Sequence, residues 1–250
     1  MFTEKKLNLD FNRFCEEWND SQEYNTYIYN YFKEQVTLIP FLSHHFESVS
    51  ENDLGYGEKA FRYLWLLVFN SIPNNSKFLE IGVYKGSILA LSQLCSLNLK
   101  KNIKCFGVTP LTPIGDKYTV YPNENYDEKI TFLYSLLGLD RNNTNIIKGI
   151  STDDNVKKEV IFNGPYDVIY IDGGHDYETV INDIELSDYV LKKNGLLIMD
   201  DSSTYLNFEP NFEGFKGHED VSKAIIDKLD KKNNYKHLFA CGHNRVWVKI

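Results

Sequence analysis

Two apolar runs in this chain end in acid. YDVIYID closes on Asp172, and GLLIMDD closes on Asp200 and Asp201. If the runs are neighbouring parallel strands, three carboxylates converge on one sheet edge. Like charges that close are unstable unless something positive sits among them. A hard divalent cation with oxygen ligands, Mg²⁺ or Mn²⁺, is the simplest counterpart, and Asp172, Asp200 and Asp201 are its candidate ligands. The plainer alternative makes them helix caps or solvated turn residues, a common fate for aspartate at a strand end. His175 follows Asp172 after Gly173 and Gly174. A neutral imidazole at that mouth can take a proton near pH 7, so His175 and Asp172 are the candidate catalytic pair. His218 and His243 are further candidates.

A second constellation begins at the end of another apolar run, as Glu80-Ile81-Gly82-Val83-Tyr84-Lys85-Gly86-Ser87. Glycines at 82 and 86 permit a tight turn and close approach of a ligand to the backbone. A helix starting there points its free N–H groups at the same place. The acid before the turn suits a ligand carrying positive charge, such as a sulfonium or an ammonium. The spacing is not the GxGxxG of dinucleotide enzymes.

Positioning these groups requires alternating strands and helices, and the pattern supplies them. KFLEIGV, KCFGV, NIIKG, YDVIYID and GLLIMDD are short apolar strands. Between them, helical spacing predicts helices over 87–97, 132–139, 153–162 and 177–191, with one before the first strand (57–69) and one after the last (221–229). Near-continuous apolar strands are buried on both faces of a mainly parallel sheet. Right-handed crossovers bring every strand's carboxyl end to one edge, where ligands of such sheets bind. HLFAC and RVWVKI around Gly242-His243-Asn244 read as a closing antiparallel hairpin. Residues 109–127, with Pro110, Pro113, Gly115 and Pro122, form a long irregular loop of the kind that is functional or mobile. The expected architecture is therefore an α/β, Rossmann-like domain over 57–250, preceded by a helical, aromatic-rich arm over 1–56. The arm is either a cap on the core or a lid or dimer arm that helps to build an acceptor pocket.

Composition narrows the function. The 250 residues carry a formal charge of −8, and a negative field disfavours binding to a phosphate backbone, so no nucleic-acid partner is expected. The four cysteines, Cys15, Cys95, Cys105 and Cys241, show no metal-ligand spacing; they read as reduced thiols. The N-terminal stretch lacks the apolar core of a signal peptide, and no apolar run has the length of a membrane span. A cytoplasmic location without membrane association is the expectation.

FLEIGVYKGSILAL resembles motif I of class I S-adenosylmethionine-dependent methyltransferases. The stretch from YDVIYIDGGHDY to the Lys-Asn-Gly turn and GLLIMDD is similar to their fourth- and fifth-strand region. It is especially similar to the macrocin- and cephalosporin-type metal-dependent O-methyltransferases, as is the tail FACGHNRVWVKI. The resemblance spans roughly residues 57–250 and leaves the arm uncovered. It implies a seven-stranded sheet whose last hairpin inserts antiparallel, and S-adenosyl-L-methionine as methyl donor. It also implies that Glu80, Gly82, Tyr84, Gly86 and Ser87 line the donor pocket, joined by Asp172 and by Ser151 and Thr152 on the adenine side. Asp172, Asp200 and Asp201 match its metal triad, and His175 its candidate base. One departure stands out: the second strand ends Gly107-Val108-Thr109-Pro110, without the acid that usually holds the ribose hydroxyls. Asp116 is the candidate substitute.

The expected reaction is O-methylation of a small polar acceptor, a sugar hydroxyl or a related natural-product or surface-polysaccharide precursor. A phosphoryl or phosphoramidate oxygen is the alternative, with Lys85, Lys117, Lys216 and Arg245 as candidate positive charges. Rival readings are a metal-independent methyltransferase, an NAD or nucleotide-sugar oxidoreductase, and a non-catalytic scaffold. The absent GxGxxG and ribose acid count against the second, and the clustered carboxylates against the third. A homodimer through the aromatic arm is a further expectation.

Overall fold

The computed structural model describes residues 3–209 and 214–250. Its centre is a seven-stranded sheet in the order β3-β2-β1-β4-β5-β7-β6. The strands are β1 (Ser76–Ile81), β2 (Ile103–Thr109), β3 (Thr144–Lys148), β4 (Tyr166–Ile171), β5 (Leu191–Met199), β6 (Tyr235–Cys241) and β7 (Asn244–Lys249). The first five are parallel, and β7 runs antiparallel to both β5 and β6. This is the Rossmann-like arrangement with a C-terminal antiparallel hairpin that the apolar runs predict.

Alternation along the buried strands builds two cores. Phe78, Val168, Tyr170, Leu196 and Ile198 face one side, against Trp65 and Phe69 of the helix α4 (Phe61–Ser71) and the apolar face of α5 (Ser87–Leu99). Their neighbours Leu79, Ile169, Leu197 and Met199 face the other. There they meet Val160 of α7 (Asp154–Asn163), Val180 and Ile184 of α8 (Tyr177–Val190) and Val221 and Ile225 of α9 (Glu219–Ile225). The period of two in a strand dictates this division. The helix expected over 132–139 starts earlier, as α6 (Tyr126–Leu136), because Asn125 caps it by accepting from Glu128 N–H. The long loop correspondingly ends before Tyr126.

The segment before α4 forms α1 (Glu4–Glu17), α2 (Gln22–Leu38) and α3 (Pro40–Glu51). Thr3 and Ser21 cap the first two, and Pro40 opens the third, each a helix-start device. Their aromatic rings enter the first core: Phe14 packs edge-on to Phe32 with centroids 5.0 Å apart, and Phe11 meets Phe239 of β6 at 5.8 Å. The arm also touches the ligand edge directly. His45, fully buried on α3, donates from Nε2 to the Ser87 carbonyl at the start of α5 over 2.9 Å. Burial, with Arg62 nearby, pushes its imidazole down to about 3, so it stays neutral.

Candidate active site

At the end of β1 the chain turns at Gly82 with φ +99°, and a Cβ there would stand 1.9 Å from the backbone oxygen of Asp172. Only glycine allows the β1 turn to pass this close to β4. Beside it lies a cavity of about 220 Å³. Gly82, Tyr84, Ser151, Thr152 and Asp172, five of the residues expected at the donor pocket, line it. Glu80, Gly86 and Ser87 are not among its lining residues. Glu80 lies buried behind the turn; burial pushes its carboxyl well up, although Leu89 N–H donates to it, and Oε2 has no partner. Gly86, at φ +84°, starts α5 against Ile130. Ser87 uses its carbonyl on His45.

Sequence reasoning missed the aromatic wall of this cavity. Tyr121 and Tyr126 line it with Tyr84, their ring centroids 5.2 and 5.0 Å from that of Tyr84. Tyr56 stacks on the outer face of Tyr84, 5.4 Å away and 12° from parallel. The signal was present, as tyrosines concentrated in a Pro-rich loop. Asp116 also lines the cavity, but not as a ribose acid. Its Oδ2 accepts from His175 N–H and faces His175 Nδ1, both at 2.8 Å, and its Oδ1 accepts from Tyr118 and Thr119 N–H. A carboxylate offers about four lone-pair sites, so Asp116 has none left for a diol.

On the far side of Asp172 lies the acidic recess. Pairing of Ile171 with Met199 sets the ends of β4 and β5 side by side, and Asp172 and Asp200 share a hydrogen bond. Burial, then the charges of Asp200 and Asp201, push the Asp172 carboxyl far above the usual range. Burial and then Asp201 push Asp200 up as well. Asp201 goes the other way: burial would raise it, but the His175 hydrogen bond and the charges of His243, His175 and His218 outweigh that. The buried recess thus holds three carboxyls that ionise together only against additional positive charge. That is the demand a divalent cation meets. Ligand atoms of Asp200, Asp201 and His243 lie within 4.8 Å of one another, as do those of His175, Asp201 and His218.

His175 sits between two carboxylates, with Nδ1 2.8 Å from Asp116 and Nε2 3.1 Å from Asp201. Burial alone would lower its pKa; its bonds and charge interactions with Asp201 and Asp116 outweigh burial and hold it above the ordinary value. His218, 3.4 Å from Asp201 and stacked on Tyr118, is instead lowered, chiefly by burial.

The candidate cations for an anionic acceptor all have acidic partners. Lys85, buried in the motif I turn, reaches Asp53 and Glu124 at 3.4 and 3.0 Å. Lys117 pairs with Asp220, Lys216 with Glu209 and Arg245 with Asp230. The cysteines are free thiols.

Residues 79–202 match the family model of methyltransferase domains. Over that stretch the chain is similar to methyltransferase domains. Over 130 residues it is 29% identical to an uncharacterized protein of Acanthamoeba polyphaga mimivirus, covering 51% of this chain and 52% of that protein. The chain thus matches about half the length of this curated relative. An O-methyltransferase from Bacillus cereus in complex with SAH superposes with a TM-score of 0.54 at 13% identity, over 87% of this chain and 96% of that one. The O-methyltransferase TomG of Streptomyces achromogenes, involved in tomaymycin synthesis and solved with SAM, gives 0.54 at 12% identity, over 91% and 98%. At such identities these likenesses establish the methyltransferase fold and leave the acceptor to be argued from the site. None of the described helices is long and apolar enough to cross a membrane.

Proposed function

We propose that this domain transfers the methyl group of S-adenosylmethionine to an oxygen of a small polar acceptor, with a divalent cation held at Asp172, Asp200 and Asp201. One observation carries the reading: Asp172, Gly173 and Gly174 form a common wall, lining the cavity of about 220 Å³ on one side and the acidic recess on the other. A donor in the cavity and an oxygen acceptor at the recess meet across that wall.

The cavity suits the donor chemically. Asp176 lines it with negative charge for a cationic group, Asp172 adds a carboxyl that would ionise once the recess holds positive charge, and Val83, Val108, Ile150 and the tyrosine rings offer apolar faces for a flat base. A divalent cation bound in the recess would supply Lewis acidity, lowering the pKa of an acceptor hydroxyl. In the transfer the sulfonium C–S bond breaks as the O–C bond forms, and the acceptor proton leaves. As His175 stands, it donates to two carboxylates and is no free base. It would become one if Asp201 ligated a cation and released Nε2, with Asp116 holding Nδ1 and fixing the tautomer. Alignment of two bound reactants supplies about 7–11 kcal/mol of such a barrier, so the chain's main task is positioning.

The ion pairs of Lys85, Lys117, Lys216 and Arg245 favour a neutral hydroxyl, as on a sugar, over a phosphoryl or phosphoramidate oxygen. A metal-independent transfer has one observation of its own: the Asp172–Asp200 hydrogen bond and the Asn244 amide, 2.6 Å from Asp200 Oδ1, satisfy part of the cluster without an ion. Calorimetric titration of S-adenosylmethionine, with and without Mg²⁺ or Mn²⁺, separates these readings when paired with mass-spectrometric screening of hydroxylated acceptors. Donor binding with chelator-sensitive methyl transfer supports the proposal, and chelator-insensitive transfer supports the metal-independent route. Failure to bind the donor at millimolar concentration sinks both.

A further inference from the structure

The residue that bears further argument is His243, at the turn between β6 and β7. It is 6% exposed, and its Nδ1 makes no hydrogen bond with any described residue, an unusual state for a buried ring nitrogen. Nε2 faces two acids of the recess, 3.4 Å from Asp200 Oδ1 and 3.9 Å from Asp201 Oδ1. Two ligands bound to one cation at about 2.1 Å stand about 3 Å apart when adjacent and about 4 Å apart when opposed. The His243 separations fall in that interval.

Nδ1, on the other side of the ring, has no partner and faces Glu58 Oε1 at 3.8 Å. Glu58 is also buried, and that oxygen is also unpartnered. Its second oxygen accepts from the Tyr29 hydroxyl of α2, which fixes the carboxylate. Phe61 and Phe215 meet the His243 ring edge-on, at 4.7 and 5.1 Å, and hold its plane. An outer carboxylate on one nitrogen, with the other nitrogen turned to an anionic cluster, is how a metal-ligating histidine is oriented. His175 lacks this arrangement, since carboxylates occupy both its nitrogens.

We propose that His243 Nε2 is a direct ligand of the cation in the recess, beside Asp200 and Asp201, with Glu58 as the positioning residue that fixes its tautomer. The inference rests on the reading of the recess as a cation site and adds the metal class: a transition-metal ion that accepts imidazole nitrogen, Fe²⁺ or Zn²⁺ ahead of Mn²⁺, in preference to Mg²⁺. It also gives the N-terminal arm a part in the site, through the Tyr29 hydroxyl on Glu58.

Pulsed electron paramagnetic resonance on the Mn²⁺-loaded full chain tests this directly. Wild type is expected to show ¹⁴N modulation from a coordinated imidazole, converting to a ¹⁵N pattern in protein labelled with ¹⁵N-histidine; this arm needs no variant. His243→Gln is expected to lose the modulation, whereas His175→Gln and His218→Gln keep it, with retained donor binding showing that each variant is folded. Glu58→Gln is expected to keep the modulation and weaken Mn²⁺ about 10–100-fold. Mn²⁺ binding without nitrogen modulation, or modulation that survives His243→Gln, overturns the inference and leaves the cation site standing. Absence of Mn²⁺ binding in a wild type that binds donor overturns the cation site, and this inference with it.

Discussion

Across the wall of Asp172, Gly173 and Gly174, the larger cavity is bounded by turn backbone, tyrosine rings and aliphatic side chains, with room for about 220 Å³. The recess on the other side has room for about 10 Å³ and is bounded by Asp172, Asp200, Asp201 and His175. The first selects by shape and the second by charge. A site made of turns and rings is sensitive to added volume, because packed interiors do not yield by fractions of an ångström. A site made of buried carboxyls tolerates volume better than a change in the number of charges. On the proposed reading, one domain would hold a bulky donor and a small ion on two sides of one wall, each selected by a different physical property.

That contrast is most exposed at Gly82. Gly82→Ala adds a Cβ that meets backbone at 1.9 Å and must hold φ near +99°; left-handed strain alone costs about 1–3 kcal/mol. We expect a lowered melting temperature and loss of donor binding by about a hundredfold or more, read by differential scanning and titration calorimetry. Unchanged donor affinity would mean that the cavity is not shape-selective. Asp200→Asn keeps the volume and removes a charge. Methyl transfer should fall on the order of 10²–10³-fold, with donor affinity changed by less than about threefold. Equal loss of both would merge the two sites into one.

A smaller effect concerns Asp183, which is fully buried beneath the larger cavity. Burial pushes its carboxyl up to about 6, against the pull of hydrogen bonds from Ser151 and Asn182. A raised carboxyl stabilises the fold fully below its unfolded pKa, and that contribution is lost as pH rises through the folded one. Wild type should therefore lose roughly 3 kcal/mol relative to Asp183→Asn between about pH 4 and pH 6. Chemical denaturation across that window measures it, and parallel curves would refute it. The smallest expected effect is at Glu124→Gln, which weakens a tie between Lys85 and the loop over the cavity. Being at the surface, it should raise the donor dissociation constant by no more than about threefold. A larger change would assign the loop a greater share of donor binding.

Much of this was legible in the chain itself. Apolar runs of period two, helices of period 3.6, the glycine at 82 and the acids ending β4 and β5 are local patterns. Backbone sterics and burial translate such patterns into a parallel sheet with Asp172, Asp200 and Asp201 at its carboxyl edge. The sequence therefore determined the fold, the glycine turn after β1 and the carboxylate cluster. It could not show that Glu80 turns away from the cavity, that Asp116 uses its oxygens on His175 and the loop, or that Tyr121 and Tyr126 wall the cavity beside Tyr84. Nor could it show that Glu58 and His243, 185 positions apart by their numbers, face each other across a fixed ring. Those relations join segments distant in sequence, and only the close packing of the arm, the loop and the final hairpin against the sheet decides them, because side-chain direction and hydrogen-bond partners are set by tertiary neighbours.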